Sequence, residues 1–338
     1  MHTHRIAFAW PLMAALAAAA PVAGAATFVA RTTASGTPGP SGEQIHRAVG
    51  RAPVQTQSEH QGSRLVPYDP IPPTAPFESH TLVQSSATAR ADMGGIHLLA
   101  RASGLLEDAN PYYSSAFAAH ATASGGIGDS FTIRAAGAPG LMQGTASFSV
   151  LALLSGVTQV AGSLDPAIPG NAQVYLSWTA RMVVSGNSGI LGDLSLSGGC
   201  NSLSSFNDGQ FRCGGDLLGL HSMSLSFATG QTLSVDIEGE VRTSVFGGQA
   251  RGGMAQATGL ADFGNTMAWG GIHDVRDALG NPVTGFSALS ASTGFDYAKA
   301  FPSAVPEPSS WLLLLGGLAG LGLRRHRQLL ARGRSPSA

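Results

Sequence analysis

Lysine is all but missing from this 338-residue chain: Lys299 is the sole copy, and the other cations are arginine. Charge as a whole is scarce, at 12% of residues, about half the share usual for a soluble protein. Between residues 26 and 304 stand 13 basic and 19 acidic residues, a net of −6, whereas five arginines and no acid follow Leu323. A mildly acidic body with a basic tail lacks the basic folded face that nucleic-acid binding requires, so nucleic acid is not an expected partner. Catalytic signatures are missing too. There is no GxSxG, HExxH, Walker loop or strand-linked GxGxxG, and "ASGGIGDSF" (123–131) has glycines without the lysine a phosphate loop needs. The body's histidines, at 46, 60, 80, 97, 120, 221 and 273, never form HxH or HxxxH. No catalytic residue is assigned; a hydrolase would need a site assembled from distant residues.

No apolar run reaches the 20 or so residues of a membrane-spanning helix, but two shorter runs stand at the ends. The first, Ile6 to Ala20, follows Arg5 and precedes Ala23-Gly24-Ala25. A basic start, an apolar stretch and a small-residue site make residues 1–25 a secretory signal peptide, cleaved after Ala25 and read by the Sec machinery. The second, Trp311 to Leu323, would span about 20 Å as a helix, against about 30 Å of bilayer hydrocarbon. Length alone leaves an interfacial or core helix open. Trp311 at one end and Arg324, Arg325 and Arg327 at the other favour insertion, with the arginines on the cytoplasmic side and the body outside.

Immediately before that run stand Val305, Pro306, Glu307, Pro308 and Ser309. This motif (305–309), the apolar helix (311–323) and the Arg-rich end (324–334) together resemble the PEP-CTERM sorting signal of Gram-negative bacteria. The resemblance implies recognition by an exosortase, transient anchoring in the inner membrane, and release to the cell surface or an exopolysaccharide-containing biofilm matrix. The two prolines keep the site extended, where a protease can grip it. A plain C-terminal anchor with a proline-rich hinge is the alternative.

Cysteine is limited to Cys200 and Cys213. Their spacing is wider than a CxxC redox pair, and no further ligands stand nearby for a metal. In an exported protein they are expected to form a disulfide closing a surface loop, worth about 3 kcal/mol.

Residues 26–79, rich in proline, glycine, serine and glutamine, are expected to form a flexible linker, with one helical turn or two at 43–49. From 80 to 302 the texture is that of short strands. In "VYLSWTARMVV" (174–184), Val174, Leu176, Trp178, Ala180, Met182 and Val184 face one way and polar residues the other. "SMSLSF" (222–227) and "TLSVDIEGEV" (232–241), separated by "ATGQ", are expected to form a hairpin, and "GNSG" (186–189) a turn. The predicted class is all-β, an antiparallel β-sandwich or jelly-roll-like ectodomain. The small-residue stretches at 86–104, 114–133 and 259–269 are similar to strands of PEP-CTERM ectodomains.

Asp236, Glu238 and Glu240 share one side of a strand. They are either a calcium site or, more simply, a solvated face. Asp274, Asp277 and Asn281 in "HDVRDALGNP" are a second calcium candidate that turn chemistry also explains. No other cofactor is indicated. Aromatics are only 7% of the chain, and Tyr112, Tyr113, Tyr175 and Trp269 are the candidate sugar contacts, with "NPYYSS" equally readable as a turn. The expected function is that of a non-enzymatic exported surface or matrix protein. The alternatives are a carbohydrate-binding module and an extracellular hydrolase.

Overall fold

The computed structural model describes residues 25–38, 44–68, 77–108, 116–135, 140–161, 171–204, 210–248 and 253–301. These residues belong to one unit that ends at Phe301. They form two antiparallel sheets and, among the described residues, no helix. The signal peptide, the Pro-Glu-Pro motif, the apolar helix and the arginine tail all lie outside the described residues, Ala25 excepted.

The strands are β1 (Thr27–Thr37), β2 (Gln44–Gly50), β3 (Val54–Tyr68), β4 (Phe77–Asp92), β5 (Gly95–Asp108), β6 (Ala116–Ala135), β7 (Leu141–Val150), β8 (Leu153–Ala161), β9 (Asn171–Gly186), β10 (Gly189–Ser204), β11 (Arg212–Gly215), β12 (Gly219–Ala228), β13 (Thr232–Gly248), β14 (Met254–Asp277) and β15 (Phe286–Ser290). One sheet has eight strands in the order β11-β10-β9-β13-β6-β1-β2, with β15 beside β6 beyond the end of β1. The other has seven, β12-β7-β14-β5-β4-β3, with β8 continuing the β7 side of β14. The described residues therefore form a single two-sheet body. Alternation of buried and exposed residues drives it: the inner strands each turn one face into the shared core, whereas β2, β8 and β11 have no buried residue. All six residues expected to face inward in β9 are buried, Trp178 included. The "GNSG" turn joins β9 to β10 as a hairpin.

Three expectations fail. Within the expected 26–79 linker, residues 27–37, 44–50 and 54–68 are strands: β1 pairs β6 in one sheet while β3 pairs β4 in the other. Phe28, Ala30, Thr32 and Ala34 of β1 alternate into the core, a pattern too small in side-chain volume to stand out in the sequence. Residues 44–50 are strand β2, not a helical turn. The hairpin across "ATGQ" is not formed: β12 pairs β7, and β13 lies between β6 and β9 in the opposite sheet. The turn is an arch between sheets, held by Gly230 N–H donating to Ile133 O at 2.7 Å and Ile133 N–H to Gln231 O at 3.2 Å. An arch turns the two apolar faces, with Leu225 and Phe227 on one side and Leu233, Val235 and Ile237 on the other, toward a common interior. The strands are also longer than expected, 20 residues in β6 and 24 in β14.

Glycine sets how closely the sheets approach. The Phe117 ring of β6 lies against Gly104 of β5 and its own-sheet register partner Gly247, and Met267 lies against Gly239. At the far end of β14, Gly271 adopts φ +94° and has the backbone of residues 298–300 at 3.1–3.2 Å from where a β-carbon would stand. A side chain there would displace the last segment of the body.

Candidate functional site

The most elaborate polar arrangement lies where the body begins and ends. In β6 the inward residues are Ile127, Asp129, Phe131 and Ile133, so a carboxylate stands in an apolar row. Asp129 is 6% exposed, and a carboxylate so placed costs several kcal/mol unless donors meet it. Oδ1 accepts from Ser130 N–H at 2.7 Å and the Ser292 hydroxyl at 2.8 Å, and Oδ2 from the Thr293 hydroxyl at 3.2 Å and the Tyr297 hydroxyl at 3.0 Å. Burial, then the charge of Asp129, pushes the Tyr297 hydroxyl far above the usual phenol range, so it remains a donor. The Tyr297 ring stacks on Phe131 at 4.8 Å, with Trp269, Phe295 and Phe301 edge-on around it. Trp269 Nε1–H donates to Tyr297 O at 2.8 Å, and Phe301 N–H to Trp269 O at 2.9 Å. Ala26 N–H reaches the same cluster through Ser292 Oγ at 3.1 Å. The arrangement holds the last segment of the body and the entry of β1 in one place.

Trp269 is therefore not a sugar contact. It is 1% exposed and its indole N–H is bound inside. Bulges in β14 between Phe263 and Met267 and between Trp269 and Gly271 shift the alternation on which exposure would be judged. Tyr112 and Tyr113 lie outside the described residues, as do Ala23, Val305, Pro306, Glu307, Pro308, Ser309, Arg324, Arg325 and Arg327. Tyr175 is on the outer face of β9, 39% exposed, and its ring meets that of Phe246 on β13 at 6.0 Å. Phe246 in turn meets His120 of β6 at 5.1 Å.

Asp236, Glu238 and Glu240 alternate along the outer face of β13. Two-residue steps along a strand set their backbones about 7 Å apart on that face. Among the described residues no group of three or more His, Cys, Asp or Glu is placed to hold a metal. Arg181, the register partner of Glu238, is bidentate to Asp193 at 2.7 and 3.1 Å and adds positive potential to the row. Arg242 pairs Glu240. Burial, then the neighbouring Glu238 charge, raises the Asp236 carboxyl, and burial raises Glu238. Asp277 accepts from Leu279 N–H, Asn281 N–H and the Asn281 amide, a turn complete in itself.

Among the described residues two serine–histidine contacts occur: Ser244 Oγ with His120 Nδ1 at 3.0 Å, and Ser147 Oγ with His273 Nε2 at 3.3 Å. Burial lowers the His120 pKa, keeping the ring neutral. Among the described residues no carboxylate bonds to either ring, so neither contact has the third group that orients a catalytic base. Cys200 of β10 and Cys213 of β11 are register partners joined by a disulfide, S–S 2.06 Å, across 13 positions of chain.

Sequence reasoning missed Asp129, Ser292, Thr293 and Tyr297. The usable signal was Asp129 itself, an acid in the apolar phase of an otherwise regular strand.

Comparison with known proteins adds one finding. Residues 304–327 match the family model of the PEP-CTERM protein-sorting motif. No curated protein and no solved structure matches significantly.

Proposed function

We propose that this chain, which carries a PEP-CTERM protein-sorting motif at its C-terminal end, is an exported, non-enzymatic surface or biofilm-matrix protein of a Gram-negative bacterium. In this reading it passes through the Sec machinery, is held in the inner membrane by its tail, and leaves for the cell surface after exosortase processing. The match at 304–327 carries the reading. The test is a Pro306→Ala/Glu307→Ala double variant expressed in a host with an exosortase. The wild type leaves the inner membrane and the variant stays. Equal release of both refutes the sorting role.

A second reading, exopolysaccharide binding, is favoured by the row of rings from His120 through Phe246 to Tyr175 across adjacent strands of the outer face. Exposed aromatics are what sugars stack on. Polysaccharide pull-down of wild type, weakened by Tyr175→Ala and Phe246→Ala, would support it. Equal capture of all three removes it.

A further inference from the structure

The start of β1 has a feature that sorting by the tail does not use. Ala25 is exposed and Ala26 is 1% exposed. Because Thr27 pairs Gly128, Ala26 falls in register with Asp129. Its N–H donates to Ser292 Oγ at 3.1 Å, and that hydroxyl donates to Asp129 Oδ1 at 2.8 Å. Among the described residues every partner of Asp129 is a neutral donor, one backbone N–H and three hydroxyls. None of the ion pairs among the described residues includes it. A buried carboxylate without a counter-charge is the costly half of an ion pair.

We propose that removal of the signal peptide supplies the missing cation: the new α-ammonium of Ala26 docks beside Asp129 and locks the start of β1 to the 292–297 segment. The proposal rests on cleavage after Ala25. Signal peptidase adds one water across the Ala25–Ala26 amide. The C–N bond breaks, Ala25 departs as a carboxylate, and the freed amine takes up a proton at neutral pH, its ordinary pKa being about 8. The amide has one N–H and a fixed direction. The ammonium has three and is released from Ala25, so it keeps Ser292 and reaches Asp129 as well. The uncleaved precursor presents only the neutral amide, and its Asp129 stays without a counter-ion. Processing and closure of this end of the body are thereby one event.

The scarcity of lysine makes the test clean. A mature chain beginning at Ala26 has two amines, the α-amine and Lys299, whose side chain is 76% exposed. The full-length exported protein is treated near neutral pH with an acetyl N-hydroxysuccinimide ester, folded and in urea, and both sites are followed by mass spectrometry. An undocked α-amine reacts faster than lysine because less of it is protonated. We expect Ala26 to react about tenfold or more slowly in the folded protein than in urea, the change produced by one unit of pKa, while Lys299 changes little. Folded Asp129→Asn protein should regain most of the Ala26 reactivity. Equal Ala26 rates, folded and in urea, overturn the docking. Protection that persists in folded Asp129→Asn assigns it to burial alone and overturns the ion pair. The wild-type comparison stands if the variant does not fold. An intact mass beginning at another residue overturns the cleavage position, and the docking with it, while leaving the tail assay untouched.

Discussion

Replacing Gly104 by alanine tests how the two sheets are seated. A β-carbon there would stand 2.1 Å from Cδ2 and 2.2 Å from Cε2 of Phe117, well inside the 3.5–4.0 Å or so at which carbons pack. The ring has nowhere to retreat. Its other edge covers Gly247, where a β-carbon would meet Cε1 at 2.3 Å and Cζ at 2.4 Å. Relief requires a strained rotamer or a separation of the sheets, a cost of about 1–3 kcal/mol. Phe117→Ala alone opens a cavity and costs about 3–5 kcal/mol. In the double variant the new methyl has no ring to strike and fills part of the hole. The combined loss should fall short of the sum of the single losses by on the order of 1 kcal/mol or more. Urea unfolding of the exported protein, followed by the emission of buried Trp178 and Trp269, measures all four corners of the cycle. Two results would refute the reasoning: Gly104→Ala within about 0.5 kcal/mol of wild type, or simple additivity of the two substitutions.

Three further outcomes are expected. Reducing Cys200–Cys213, or replacing both by serine, should cost up to about 3 kcal/mol. Because β11 is exposed throughout and hangs on β10 alone, proteolysis should cut between 201 and 212 before the body unfolds. Uncut reduced protein would contradict this. Burial lowers the folded pKa of His120 below 6.5, so the unfolded chain binds more protons as pH falls through 6.5. Stability present above that pH is lost below it, and His120→Gln should flatten the melting-temperature difference between pH 7 and 5.5; an unchanged difference sinks the assignment. Trp269→Ala should cost about 3–5 kcal/mol as a core truncation and leave polysaccharide capture by the remaining folded fraction unaltered. Lost capture with unchanged stability would restore it as a surface residue.

Period-two alternation of large residues was the part of the fold that could be read directly. It placed Trp178 and its five companions in β9 correctly and gave the all-β class. It failed where the inward residues are small, as with Ala30, Thr32 and Ala34, because composition alone makes such a strand look like spacer. Turn chemistry at "ATGQ" specified a reversal but not whether its arms pair or face each other across a core. That choice is made by β6 and β9, which occupy both edges of β13. Bulges hid Trp269 by breaking parity. The sorting tail was legible because its three parts are contiguous. The Asp129 cluster was not, since Ser292, Thr293 and Tyr297 stand more than 160 positions along the chain from it.

The pairing of β6 also dictates a timetable. It lies between β13 and the β1/β15 row, so its last open edge is covered only when Ser290 comes opposite Phe131. Strands so distant in sequence join slowly, unlike consecutive ones such as β9 and β10. A polypeptide emerging from the amino end can thus pair its local hairpins early, but the row around β6 waits until almost the whole body is delivered. Threading through a narrow pore as a loose strand, and assembling only on the far side, is the itinerary that this connectivity suits.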